Sequence, residues 1–163
     1  SFVTGASFLS LKSSENDELF ELNGKTIAVV NDTTTIDTLE KFSKKSNSDI
    51  KIIPVESAKE GMNAVVKGYV DAFSSDQGVL IGLAITNETS KKFAIANNLF
   101  SYEPYALAVR KNDSEFRLIA DRVLSDLYRS GKISDIYKRW FGQFTKKMPS
   151  LLEAMYIINS TSE

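Results

Sequence analysis

The stretch "GKTIAVVNDTTTIDTLEKF", residues 24–42, decides the fold class of this chain. It opens with a glycine and continues as a β-branched, apolar run of strand length at residues 25–30. A polar turn with three consecutive threonines follows, and apolar side chains then recur at the helical spacing of Ile36, Leu39 and Phe42. Threonine is a mediocre residue inside a helix but a good cap at its entrance. The stretch therefore predicts a strand, a polar turn and an amphipathic helix.

The same alternation continues along the chain. A predicted strand at residues 50–55 precedes a helix from about Ala58 to Lys67, and a short strand in "GYVDAFSSD", residues 68–76, precedes a buried helix at 77–85. Further strands are predicted at residues 2–12, 91–96 and 104–111. Strands that alternate with helices of this length indicate a doubly wound α/β sheet.

The pattern changes after a boundary near Arg110 to Asp113. Residues 113–142 predict two amphipathic helices, broken at Ser130-Gly131, with no strand between them.

Composition excludes several classes of function. The net charge is -1 with no dominant sign, so the chain lacks the charge expected of a nucleic-acid-binding protein. Cysteine and histidine are both absent, which removes disulfides, most structural zinc sites and histidine-based catalytic triads. No cofactor is predicted. No apolar run reaches the roughly 18 residues of a membrane span, and a targeting segment, if the protein is exported, lies outside this chain.

Two places carry candidate binding groups. A helix that opens at the carboxyl end of a strand points unpaired N–H groups and a positive dipole end into the crevice, so the threonine run could bind a carboxylate. Asp76 follows another strand, and it faces the same crevice if both strands are parallel, where it could bind an ammonium group. The alternatives are a capped helix that binds nothing and an Asp76 that only caps the helix starting at Gln77. We interpret Glu60 and Asp71 as solvated or capping carboxylates.

The order of motifs resembles a known family. The matching motifs are "FVTGASFL", "LNGKTIAVVNDTTT", "DAFSSDQGVL", "SYEPYALAVRKND" and "LYRSGKISDIYKRWFG". They occur in the order and spacing of the family 3 solute-binding proteins of amino-acid ABC transporters. The tail "KKMPSLLEAM" resembles that of the glutamate/aspartate-binding branch. The resemblance implies a periplasmic-binding-protein-like fold of type II, the Venus flytrap, which clamps a free amino acid and delivers it to an ABC permease.

The resemblance also implies a ligand site. In the family, the residues that match Thr33 and Thr34 contact the ligand carboxylate through backbone N–H and hydroxyl groups, and the aspartate that matches Asp76 holds the α-ammonium group. The predicted ligand-binding residues are Thr33, Thr34, Thr35 and Asp76, with no catalytic and no metal-binding residue. Asp32 stands where the family usually has glycine, and its charge is unfavourable near a carboxylate unless the side chain turns to solvent or meets a cation.

The match covers only part of the family's length, because it begins at the crossover strand. We expect residues 1–110 to form the second lobe, 111–145 the C-terminal helices of the first lobe, and 146–163 a C-terminal tail. Most of the first lobe, including the arginine that clamps the ligand carboxylate in this family, has no counterpart here. The expected partners are a free amino acid, polar or acidic, an ABC permease, and a missing first lobe or a second copy of the chain, with no nucleic acid. The expected location is periplasmic or extracytoplasmic.

Two other functions use the same fold. One is the ligand-sensing domain of a signalling receptor, whose distinguishing segments would lie outside this chain. The other is a dehydratase-like enzyme, in which Asp76 or Glu60 would act as acid or base without help from histidine or cysteine. Turnover assays against candidate ligands separate catalysis from binding.

The two C-terminal helices generate a prediction about association. Apolar residues recur on one face of each helix: Phe116, Ile119, Ala120, Val123 and Leu127 on the first, and Ile133, Ile136, Tyr137, Trp140 and Phe141 on the second. Two such faces left in water would exceed the apolar patch that soluble monomers usually tolerate. We predict that the chain associates, most simply as a two-fold dimer, or holds these helices in a position that the family does not use. Light scattering with Trp140 fluorescence tests this, and a clean monomer with ordered helices and exposed Trp140 contradicts it.

Overall fold

A computed structural model describes residues 2–12, 22–86, 92–96, 98–142, 148 and 150–160. The chain divides into two compact units, Thr4–Glu103 and Pro104–Glu163 with Ser1–Val3. The assignment of residues 1–110, 111–145 and 146–163 to lobes and tail stays a prediction. Within the described ranges, no helix combines the length and the apolar character that crossing a membrane requires.

The described elements alternate between strands and helices before three helices end the chain. The strands are β1 (Phe2–Thr4), β2 (Ala6–Leu11), β3 (Lys25–Val30), β4 (Ile50–Val55), β5 (Ala72–Asp76), β6 (Phe93–Ile95) and β7 (Glu103–Tyr105). The helices are α1 (Thr34–Ser46), α2 (Ala58–Val66), α3 (Gln77–Thr86), α4 (Ser114–Arg129), α5 (Lys132–Phe141) and α6 (Ser150–Asn159).

A five-stranded sheet in the order β4-β3-β5-β2-β6 forms the centre of the unit Thr4–Glu103. β3 pairs in parallel with both β4 and β5. β2 runs antiparallel to β5 and to β6, so the sheet is mixed. The parallel relation between the strand before the threonine run and the strand before Asp76 confirms the condition on which the predicted crevice depends.

Helices cover both faces of this sheet because neighbouring residues in a strand point to opposite sides. On one face, Leu39 of α1 packs with Ile27 and Val29 in a buried cluster. On the other face, Phe73 of β5 is fully buried, and its ring lies directly over Gly61 of α2. This arrangement fits the predicted α/β class.

Two predicted strands differ from the described ones. The strand predicted at residues 2–12 divides into β1 and β2 at Gly5, where a Cβ atom would collide with the Ser101 carbonyl. The strand predicted at 104–111 was wrong beyond Tyr105, since β7 covers only Glu103–Tyr105. Its pairing partner β1 is three residues long, so the backbone beyond residue 105 has no ladder to join.

The unit Pro104–Glu163 contains helices α4, α5 and α6, and the predicted break at Ser130 and Gly131 is confirmed. Gly131 has φ 72°, the left-handed conformation that glycine adopts at little cost. The tail, for which the sequence analysis predicted no regular element, contains α6. A buried cluster holds the three helices together: Tyr128, Tyr137, Leu152 and Tyr156. Several residues of the predicted apolar faces lie open to solvent, among them Phe116, Ile119, Val123 and Trp140.

One glycine of α2, Gly61, and one of α3, Gly82, give a matched test of the packing. We expect Gly61→Ala to lower the free energy of unfolding by about 1–3 kcal/mol, because its methyl group would overlap the Phe73 ring. Gly82→Ala meets open space, so it should raise the free energy of unfolding by up to about 1 kcal/mol through helix propensity alone. Urea denaturation of both variants measures the difference, and equal effects would contradict the described packing of α2 on β5.

Candidate functional site

The threonine run forms the entrance of α1, directly after β3. Thr33 is the N-cap residue, with φ -108° and ψ 151°, but its side chain caps no N–H group of the helix. Its Oγ1 instead donates to the Val30 carbonyl at 2.8 Å and closes the turn. The predicted helix entrance is confirmed, whereas the expected threonine cap was wrong. The first turn of α1 therefore begins without a side-chain acceptor, so its N–H groups keep the character of an anion site.

The three threonines occupy different environments. Thr33 and Thr34 are exposed, whereas Thr35 is buried with 8% of its surface accessible. The Thr34 carbonyl also accepts a hydrogen bond from the Thr38 hydroxyl at 2.8 Å, which belongs to the helix itself. Thr33 and Thr34 are therefore the exposed pair at the sheet edge, with the Thr33 hydroxyl donating to the Val30 carbonyl.

Asp32 has a backbone conformation that favours glycine. Its φ is 55°, in the left-handed region, which glycine adopts freely and aspartate tolerates better than most residues. The residue is exposed, so its charge is screened by solvent. This is the condition under which the sequence analysis expected the charge to be tolerated.

Asp76 ends β5 and is 9% exposed. Its Oδ1 accepts a hydrogen bond from the Gly78 N–H at 2.7 Å, so it caps the first turn of α3. The capping alternative is therefore present in the structure. The second carboxylate oxygen, Oδ2, is buried and has no hydrogen-bond partner. One oxygen has a structural role, and the other stays available to a donor.

Burial is the largest influence on Asp76 and raises the pKa of its carboxyl above the ordinary value of 3.8. Hydrogen bonds from the backbone of Gly78 and Val79, and the nearby Thr4 hydroxyl, lower the pKa, whereas the Glu103 charge raises it. The Thr4 hydroxyl lies near enough to Asp76 to lower the pKa of its carboxyl, although neither Thr4 Oγ1 nor Asp76 Oδ2 has a partner with hydrogen-bond geometry. The net rise in pKa means that burying the ionised Asp76 carboxylate lowers the free energy of unfolding.

The sheet brings the two predicted groups to one edge. Val29 of β3 lies opposite Ser74 of β5 in a parallel register, so the turn after β3 and the end of β5 are neighbours. Ala6 at the start of β2 lies opposite Asp76 in the antiparallel register. The edge therefore gathers the entrances of α1 and α3 and the start of β2. The ligand-binding role of Thr33, Thr34, Thr35 and Asp76 remains a prediction.

The residues that the sequence analysis missed lie around Asp76 but far from it in the chain. Ser101 Oγ accepts a hydrogen bond from the Ala6 N–H at 2.6 Å and donates to Glu103 Oε1 at 2.8 Å. Thr4 lies one residue before Gly5, whose carbonyl accepts from the Gln77 N–H at 3.0 Å. No local pattern marks Thr4, Ser101 or Glu103, because contacts between distant parts of the chain bring them toward Asp76: the pairing of β2 with β5 and the hydrogen bond of Ser101 to Ala6.

The two other carboxylates noted in the sequence have structural partners. Glu60 Oε2 accepts from the Glu56 N–H at 2.9 Å at the entrance of α2. Asp71 accepts from the Thr26 N–H at 2.8 Å and lies 3.4 Å from Lys25 Nζ. These contacts confirm the interpretation of both as capping or solvated groups. In the part of the chain that the structure describes, no three acidic side chains cluster closely enough to bind a metal ion.

Sequence comparison finds amino-acid-binding proteins. The chain is 27% identical over 142 residues to the L-glutamate/L-aspartate-binding protein of Pseudomonas aeruginosa, which covers 87% of this chain and 47% of that protein. It is 28% identical over 141 residues to the ABC transporter glutamine-binding protein of Bacillus subtilis, covering 85% and 49%. It is 28% identical over 115 residues to the general L-amino acid-binding periplasmic protein of Rhizobium johnstonii, covering 71% and 34%. The chain spans about half the length of the first two, and no family model matches it.

Solved structures share the fold. A periplasmic binding protein of an ABC transporter from Brucella ovis, with glutathione bound, superposes with a TM-score of 0.63 at 23% identity and covers 84% of this chain and 46% of its own. An ancestral arginine-binding protein bound to arginine gives 0.56 at 27% identity, covering 86% and 61%. An ancestral amino acid-binding protein, a precursor of cyclohexadienyl dehydratase, gives 0.55 at 26%, covering 85% and 57%. These likenesses confirm the resemblance and the Venus-flytrap fold class.

The raised pKa of Asp76 predicts a pH-dependent stability difference. Below pH 3.8, the carboxyl group is protonated in the folded and unfolded chain alike and costs little. As the pH rises through the raised folded pKa, the wild type loses stability relative to Asp76→Asn, which keeps the Oδ1 cap without the buried charge. We expect the variant to be more stable by about 1 kcal/mol at neutral pH and by much less at pH 3. Chemical denaturation across this range measures it, and a pH-independent difference would refute the cost assigned to Asp76.

Proposed function

We propose that this chain is the second-lobe part of an extracytoplasmic, periplasmic-type solute-binding protein that binds a free amino acid for ABC-transporter uptake. The relatives that match most of the chain are proteins that bind glutamate and aspartate, glutamine or general L-amino acids. Since the chain spans only about half of the first two, the ligand, partners and location of the whole protein are inferences.

The observation that carries the proposal is the unpaired Asp76 Oδ2 at the same sheet edge as the entrance of α1. A free amino acid carries an ammonium group and a carboxylate on one carbon. A buried carboxylate oxygen suits the ammonium group, and the uncapped first turn of α1 with Thr33 and Thr34 suits the carboxylate. Opposite charges at one edge are the chemical signature expected for such a zwitterion. Thr35, which is buried, would stabilise this turn.

A polar or acidic amino acid fits the ligand class of the glutamate/aspartate-binding and glutamine-binding relatives. The exposed position of Asp32 supports this assignment, because a charge in solvent repels a bound carboxylate only weakly. The second wall of the cleft would come from a first lobe, on a longer chain or from a second copy. An ABC permease would then receive the amino acid from the closed form.

Binding fits this site better than catalysis. Asp76 Oδ2 is unpaired, but the chain has no histidine or cysteine that could assist it in proton transfer, and Glu60 Oε2 is held by the Glu56 N–H. An amino acid-binding protein related to a dehydratase by descent has the same fold as this chain, which makes turnover worth measuring. We expect no consumption of any amino acid by the purified chain over hours.

The binding proposal makes a ranked mutational prediction. In a version of the protein with a first lobe supplied, Asp76→Asn should weaken amino-acid binding by about 2 kcal/mol or more, because the ammonium group loses its charged partner. Thr33→Val should cost about 1 kcal/mol or less, since the backbone donors of α1 remain. Calorimetric titration with the twenty free amino acids measures both effects.

Asp49→Asn is the matched control for charge. Asp49 is exposed beside the start of β4, at the opposite edge of the sheet, so its loss should leave affinity unchanged. Unchanged binding by Asp76→Asn would refute the proposed role of Asp76. The 163-residue chain alone should bind weakly, and micromolar affinity would show that it needs no first lobe.

A further inference from the structure

Thr4, the last residue of β1, has a buried polar side chain. Its side chain is 3% exposed, and its Oγ1 has no hydrogen-bond partner. Asp76 Oδ2 is in the same condition, and among the described residues these are the two buried side-chain oxygens without a partner. Leaving a buried polar group unpaired costs about 1–3 kcal/mol. Two unpaired oxygens kept in one fold suggest a shared donor that is supplied by a ligand.

The two oxygens lie in the same small region of the unit Thr4–Glu103. Ala6 of β2 is the register partner of Asp76, and the Gly5 carbonyl accepts from the Gln77 N–H at 3.0 Å. Thr4 immediately precedes this pairing. The Thr4 hydroxyl is also close enough to Asp76 to favour the ionised form of its carboxyl group. Both oxygens are therefore within reach of one small donor group.

The surroundings of this pair favour a cation over a neutral donor. Ser101 Oγ links the Ala6 N–H to Glu103 Oε1 through bonds of 2.6 and 2.8 Å, which keeps the Glu103 carboxylate beside the start of β2. The Glu103 charge acts on Asp76. Over the described ranges, neither carboxylate forms an ion pair with a lysine or an arginine. Two carboxylates without a counter-ion attract a positively charged donor.

We propose that Thr4 is a further ligand-binding residue, whose Oγ1 accepts a second hydrogen bond from the same ammonium group that Asp76 Oδ2 binds. This inference rests on the proposed function and adds a selectivity to it. A primary ammonium group has three N–H donors. Two of them can donate to Thr4 Oγ1 and Asp76 Oδ2, and the third remains free for a first lobe. Each N-methyl group removes one donor and adds bulk. The site therefore selects primary amines over N-methylated ones.

A ligand role differs from a structural one in its effect on stability. If the Thr4 hydroxyl supported the fold, Thr4→Val would leave a partner unsatisfied and lower the free energy of unfolding. If the hydroxyl serves the ligand, the isosteric valine removes an unpaired buried group, so the free energy of unfolding stays equal or rises when it is measured at pH 3, where Asp76 is protonated and needs no support from Thr4. The same variant then loses ligand affinity. Thr4→Ser keeps the hydroxyl and serves as the matched control.

The experiment uses the version of the protein with a first lobe supplied and titrates it with glycine, N-methylglycine and N,N-dimethylglycine, which carry three, two and one N–H donors. The amide signal of Gly78, which donates to Asp76 Oδ1, reports binding by NMR. We expect affinity to fall about tenfold from glycine to N-methylglycine and further for the dimethyl compound. Thr4→Val should lower glycine affinity about tenfold and shrink the difference between glycine and N-methylglycine, whereas Thr4→Ser should keep both.

The outcomes separate this inference from the proposed function. If Asp76→Asn loses glycine binding and Thr4→Val retains it, the role of Thr4 is overturned and the amino-acid site stands. If Thr4→Val binds glycine normally but unfolds more easily, Thr4 is structural. If the wild type shows no shift with glycine, or Asp76→Asn binds as well as the wild type, both proposals fall. Lost affinity in Thr4→Val with undiminished stability supports the inference.

Discussion

The parallel pairing of β3 with β5 is the constraint on which the candidate site depends. Because the two strands run in the same direction as neighbours, the chain leaves both at one edge, and each enters a helix there. α1 begins after the threonine turn and α3 begins after Asp76. An antiparallel pairing would have sent these two groups to opposite ends of the sheet. β2 then adds a third contributor to the same edge, since its antiparallel register sets Ala6 opposite Asp76.

Several features at this edge are unfavourable for the stability of the fold. Asp76 is buried with a raised pKa, one of its oxygens is unpaired, and the Thr4 hydroxyl nearby is also unpaired. Asp32 adopts a left-handed conformation that a glycine would adopt more easily. The first turn of α1 goes without a side-chain cap. Departures of this kind concentrate where a protein prepares a site for a partner, because the partner's contacts offset them.

Sequence patterns predicted the elements whose signal is local. The run at 25–30, the periodic spacing of Ile36, Leu39 and Phe42, and the break at Ser130 and Gly131 all correspond to described elements. The strand expected at 104–111 failed because its length depends on a partner: β1 has three residues, and strand propensity alone cannot extend a ladder. Helix α6, "SLLEAMYIIN", was missed because most of its residues are apolar, which hides the period that Leu152 and Tyr156 share.

The site was predictable in part for the same reason. Thr33, Thr34 and Asp76 each follow a recognisable strand, so adjacency of those strands was enough to bring them to one edge. Thr4, Ser101 and Glu103 follow no such rule. Ser101 is hydrogen-bonded to Ala6 across a sequence separation of 95 residues. The Ser101 carbonyl can approach the backbone there because Gly5 has no Cβ atom. In the sequence, the glycine at position 5 is the sign of this close backbone contact. Gly5 in "FVTGAS" is therefore the local mark of a site whose other members are distant.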